Sequence, residues 1–126
     1  MTRTRASAKA AGSRFERIIA DYLAEHVDDR IDRKVKTGAA DRGDIGGVRL
    51  SPALRGGRVV IECKDTAKFQ VGPHLTEAEV ERGNDDAVAG LVAAKRHGNG
   101  DPGSQVVYMT LRDLCALLTG ERPADR

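Results

Sequence analysis

Apolar positions in SRFERIIADYLAEHV return as Phe15, Ile18, Ile19, Tyr22 and Leu23, the spacing of one helical face, and predict an amphipathic helix. Ser13, with Glu16 three residues later, fits a capping box and sets its expected start. The small, basic residues 1–12 before it have no periodicity and read as a flexible tail. RIDRKVKTG alternates Ile31, Arg33 and Val35 with polar neighbours, the pattern of a half-exposed strand, and runs into the turn-forming GAADRG. A strand starting at Asp44 in GDIGGVRL pairs most simply with GRVVIECK across the loop Ser51 to Gly57, giving a three-stranded meander.

Beyond Asp65, the run Thr76-Glu77-Ala78-Glu79 is a second capping box and predicts a helix starting there. AVAGLVAAKR is read as a strand, with a continuation of the helix to Arg96 as the alternative. GNGDPGS is a loop and QVVYMT a short strand. TLRDLCALLTG is a closing helix with Leu111, Leu114, Cys115 and Leu118 on one face and Gly120 at its stop. The expected order is αβββαββα, in one α/β domain over residues 13–120 followed by a short tail, 121–126.

A length of 126 residues suits one domain, and no apolar run approaches the roughly 20 residues that a membrane span requires. The basic N-terminus lacks the apolar stretch of a secretory signal, so a reducing cytoplasmic setting is expected. Cys63 and Cys115 then read as small core residues. His74 and His97 have no partner at ligand spacing and read as loop or surface residues.

The net charge of +2 conceals an uneven distribution. Arg3, Arg5, Lys9 and Arg14 precede any acid, and Arg30, Arg33, Lys34 and Lys36 surround Asp32, whereas Glu77, Glu79, Glu81, Asp85 and Asp86 oppose Arg82. The two basic segments can meet phosphates, and the acidic one should face away from a polyanion. An aromatic content of 3% argues against stacking on single strands and leaves backbone contacts as the mode of nucleic-acid binding.

On the apolar strand VVIECK, Glu62 and Lys64 share one face while Ile61 and Cys63 take the other. Charged side chains are rarely buried there unless paired or bound to a metal. With Asp44 on the adjacent strand, two carboxylates come within reach of each other, and a divalent cation relieves their repulsion. Hard oxygen donors suit Mg²⁺ or Mn²⁺, with the backbone carbonyl of Cys63 as a further ligand. Lys64 can orient an attacking water or offset charge on a phosphorane-like transition state, so phosphodiester hydrolysis is the matching reaction class. The alternative is a surface pair of Glu62 with Lys64 and an Asp44 that merely starts a turn.

The succession of helix, strand, strand with GD and strand with IECK resembles the PD-(D/E)XK nuclease superfamily. The resemblance implies a mixed central sheet flanked by helices, with Asp44, Glu62 and Lys64 as the catalytic set and Glu16 as the acid of the first helix. Glu16 is at the same time the expected cap partner of Ser13. Gly43 stands where a proline often precedes the aspartate, which leaves Asp41 as a rival ligand. A compact chain of this kind is similar to archaeal and phage Holliday junction resolvases, which implies a homodimer that cuts four-way DNA junctions. Arg14, Arg33, Lys34 and Lys36 are the candidate phosphate contacts. Other DNA structures or RNA as substrates, or a non-catalytic nucleic-acid-binding module, are the alternatives.

Overall fold

The computed structural model describes residues 3–35 and 38–125. Its elements in chain order are α1 (Arg5–His26), β1 (Asp32–Arg33), β2 (Ile45–Gly46), β3 (Val59–Lys64), α2 (Val71–Asp85), β4 (Ala89–Ala94), β5 (Val106–Tyr108) and α3 (Leu111–Thr119). This is the expected αβββαββα order. The strands form one five-stranded mixed sheet in chain order, antiparallel except for the β3–β4 pair. A parallel pair needs a crossover, and α2 provides it.

The β-branched run of β3 and the small apolar run of β4 are the only strands with cover on both faces among the described residues, which is why they read as nearly continuous apolar sequence. On one face Val59, Ile61, Ala89, Leu91 and Ala93 pack with Phe15, Ile19 and Ala20 of α1 and Ala116 of α3. On the other, Val92 and Ala94 meet Ala78 of α2, with Leu75 and Tyr108 at the margin. Gly90 permits that second contact, because a Cβ there would lie 3.0 Å from the Ala78 carbonyl oxygen.

Several expected boundaries move. Thr4 is the N-cap of α1, its Oγ1 accepting from Ser7 N at 3.0 Å, so Ser13 and Glu16 lie inside the helix and form no capping box. Alanine-rich RASAKAAG has the propensity to extend the helix forward over residues expected to be a tail. Likewise α2 begins five residues ahead of Thr76, whose hydroxyl donates back to the Gly72 carbonyl at 3.2 Å, a bond typical of a helix interior.

The closing helix falls where its periodicity places it, with Thr110 as N-cap, but its leucine stripe faces outward. Leu111 is 79% and Leu118 69% exposed, and Cys115 is exposed with them, not in the core. The inward face carries Ala116 and Asp113. The Asp113 carboxylate accepts from Gly90 N at 3.0 Å, from Thr110 Oγ1 at 2.6 Å and from Arg122 at 2.5 Å. Cys63 is half-buried against the α1-side core.

Candidate active site

Alternation along β3 sends Val59, Ile61 and Cys63 toward α1, and Glu62 and Lys64 toward α2. The buried stripe of α2 is His74, Ala78 and Glu81, at positions i, i+4 and i+7. Its last member meets the strand: Glu81 is 3% exposed and Glu62 7%. The loop before β2 adds Asp41, and carboxylate oxygens of Asp41, Glu62 and Glu81 all lie within 4.8 Å of one another. Asp41 itself is fastened twice, since its Oδ1 accepts from Gly43 N at 2.9 Å and Asn84 of α2 donates to its carbonyl at 2.7 Å.

Asp44 is buried at the start of β2. Its backbone N donates to the Ile61 carbonyl at 2.9 Å, and its Oδ2 accepts from Cys63 N at 2.8 Å. The Ile61 carbonyl therefore faces β2, and the Cys63 carbonyl, two residues on, lies on the same edge of β3. Gly43 explains the missing proline. Its φ is +95°, beyond the reach of a proline ring, and a Cβ there would lie 2.8 Å from Val60 Cγ1.

Burial is the largest cause raising the pKa of Glu62, and the charges of Asp44 and Asp41 add to it, against opposition from Glu81 and Lys64. Glu81 is raised as well, by burial first and then by Glu62 and Asp41. Both shifts have the same direction: burial and mutual repulsion disfavour holding Glu62 and Glu81 together as carboxylates when no cation lies between them. Even so, Glu62 Oε2 and Glu81 Oε2 are buried with no hydrogen-bond partner among the described residues. Convergent carboxylates with open lone pairs are the donor set of a hard divalent cation, and these residues fit Mg²⁺ or Mn²⁺.

Lys64 Nζ lies 3.4 Å from Glu62 Oε1 and 2.5 Å from Glu77 Oε2. Burial works to lower its pKa, but Glu77 and Glu62 outweigh that effect and hold it above the ordinary lysine value, so it stays charged. His74, expected at the surface, is buried, and its Nδ1 is 2.9 Å from the Tyr108 hydroxyl. Burial, and then the Lys64 charge, lower its pKa.

On the α1 side, Glu16 pairs with Arg33 at 3.4 Å. Burial chiefly pushes the Cys63 thiol up, followed by the charges of Asp44, Glu16 and Glu62, which places Glu16 in the electrostatic field of the same strand segment. Among the expected phosphate contacts, Arg14 is exposed on α1 and Arg33 is tied to Glu16. Lys34 donates to the Arg42 carbonyl at 2.9 Å and pairs with Asp85 at 3.5 Å. Lys36 lies outside the described residues. A cleft of about 420 Å³ opens beside Asp41, lined by Lys34, Arg42, Gly43 and Asp85.

The sequence reading named Asp44 and Glu62, and Asp41 as a rival. The structure gathers Asp41 with Glu62 and sets Asp44 against the β3 backbone. Glu81 and Glu77 are not anticipated from the sequence, where their acidic segment is expected to face away from a polyanion. The i, i+4, i+7 pattern of His74, Ala78 and Glu81 was the available signal, visible once the helix is started at Val71. No family model, curated protein or solved structure matches the chain.

Proposed function

We propose that the protein is a divalent-cation-dependent DNA endonuclease of the PD-(D/E)XK type, acting as a homodimer on four-way junctions. The observation that carries this reading is the convergence of Asp41, Glu62 and Glu81, two of them with an orphaned buried oxygen, beside the charged Lys64. Glu62, Glu81 and Asp41 are the residues to hold Mg²⁺ or Mn²⁺, with Asp44 and the Cys63 carbonyl at its margin. A cation bound there supplies Lewis-acid polarisation of a phosphoryl oxygen and a more acidic water.

The chain's own groups supply the rest. Lys64, held charged between Glu62 and Glu77, offsets negative charge that grows on the phosphoryl oxygens in the transition state. Asp44, locked by Cys63 N, needs no reorganisation when substrate arrives. Glu16 lies close enough to act electrostatically on this strand and not as a helix cap. The exposed Leu111, Leu114 and Leu118 offer an apolar surface for a second copy, which would set two sites across a two-fold substrate.

The test is incubation of the purified chain with a labelled immobile four-way junction, with and without Mg²⁺. Paired symmetric nicks that a chelator abolishes are expected. Equal cutting of linear duplex, flaps or RNA would reassign the substrate, and no metal-dependent cutting of any of them would overturn the nuclease reading.

A further inference from the structure

Asp65 directly follows the Glu62–Lys64 segment, yet its side chain is 1% exposed and takes no part in the carboxylate cluster. Basic side chains from separate parts of the chain surround it. Arg3, ahead of α1, donates to its Oδ1 at 3.2 Å and to its carbonyl at 3.1 Å. Lys95, just past β4, lies 3.8 Å from Oδ2, and His97 Nε2 lies 3.5 Å from Oδ1 while bonding the Thr66 carbonyl at 2.8 Å. Asp65 Oδ2 itself has no hydrogen-bond partner among the described residues.

A single carboxylate does not neutralise this group, and exposed Lys68 and Arg96 on the same two loops add to the excess. The cluster lies at the carboxyl ends of the parallel strands β3 and β4, where open α/β sheets present ligand sites. An ion pair leaves donors to spare, since a guanidinium has five N–H groups and an ammonium three. Asp65 thus fixes several cationic heads in place while they remain reachable from solvent, which lowers the ordering cost of gripping an anion.

We infer that Arg3, Lys95 and His97, arrayed on buried Asp65, form a phosphate-binding site that holds the nucleic-acid backbone flanking the carboxylate cluster. The assignment rests on the nuclease reading for its substrate. Lys64 and Asp65 are consecutive but continue the alternation of β3 to opposite faces of the sheet, so the held phosphate belongs to the backbone flanking the scissile one. The contact reads backbone charge and no base sequence.

The experiment measures binding of the full chain to a fluorescent four-way junction in EDTA across a salt series, for the parent, Lys95→Gln and Arg3→Gln. Each variant is expected to reduce the slope of log affinity against log salt by about 0.9, the value for one lost phosphate contact, even where loss of a partner of buried Asp65 lowers the thermal midpoint. A neutral methylphosphonate, scanned along the strand, should weaken parent binding at one position and add nothing to Lys95→Gln there. An unchanged slope, whatever the thermal midpoint, would reduce the cluster to a structural tie and overturn the proposal. Displacement of DNA from the parent but not from Lys95→Gln by inorganic phosphate at constant ionic strength would assign the site to a free anion and overturn the backbone assignment. Because binding is read without metal, a failure of cleavage in Mg²⁺ is a separate result that bears on the nuclease reading alone.

Discussion

Glu81→Gln removes one charge from the carboxylate cluster while nearly preserving side-chain volume, so its effect on the metal-free protein isolates the repulsion stored there. At the 4.8 Å bounding separation, with an effective dielectric constant of about 20, two like charges repel by about 3.5 kcal/mol. The parent escapes part of this by holding a proton between Glu81 and Glu62, and that escape depends on pH. The folded pKa of Glu81 lies above its reference value of 4.5, so the native state binds the extra proton and stability falls as pH rises past about 4.5. One such proton gives a slope of up to about 1.4 kcal/mol per pH unit. In chelator, parent and Glu81→Gln should be equally stable near pH 4, and by pH 8 the variant should lead by about 3 kcal/mol, on the order of 10 °C in thermal midpoint. Saturating Mg²⁺ should narrow the gap, because a ligand at 100 times its Kd stabilises the parent by about 2.7 kcal/mol and the variant has lost a donor. Thermal melts followed by circular dichroism between pH 4 and 8 decide it. A variant less stable than the parent at pH 8, or a gap that does not change with pH, would refute the reasoning.

Asp44→Asn and Lys64→Ala should each lower junction cutting at least about a hundredfold while leaving junction binding in EDTA within a few-fold, as read by single-turnover cleavage and fluorescence anisotropy. Asp113→Ala should cost about 3–5 kcal/mol in urea melts, because it strands Gly90 N–H and the largely buried Arg122. Several hydrogen bonds and Arg122 hold the Asp113 carboxyl below its ordinary pKa despite its burial. The stability it contributes is therefore complete above the unfolded value and is lost as pH falls through the folded one, an acid limb that the variant should lack. Leu111→Lys with Leu118→Lys should leave the fold intact, shift a dimer to monomer in sedimentation, and convert paired nicks to single ones.

What could be read along the chain was what short-range physics dictates. Alternation in VVIECK predicts that Glu62 and Lys64 share a face, and the meander places Asp44 beside them. Caps were the weak signal. Ser13 with Glu16 and Thr76 with Glu79 carry the right letters, yet Thr4 and the loop before Val71 begin the helices: alanine-rich RASAKAAG extends α1 forward, and Pro73 fits the first turn of α2, where its missing N–H is not needed. Starting α2 at Val71 adds His74 to Ala78 and Glu81 and completes a stripe that marks Glu81 as inward-facing, which the shorter helix does not show. The leucines of α3 misled for a related cause. An apolar stripe predicts burial only when nothing competes for the inward face, and Asp113, fully satisfied by Gly90, Thr110 and Arg122, competes and wins. No local rule anticipates a buried carboxylate that accepts from a backbone N–H on another element, as Asp113 does from Gly90 of β4.

The most direct test of the central claim is an anomalous difference map from crystals soaked in Mn²⁺. The account predicts one strong peak bonded to Glu62 and at least one of Asp41, Asp44 and Glu81, absent in Glu62→Gln. A map with no peak at these carboxylates at saturating Mn²⁺, or a peak that persists unchanged in Glu62→Gln, would contradict it.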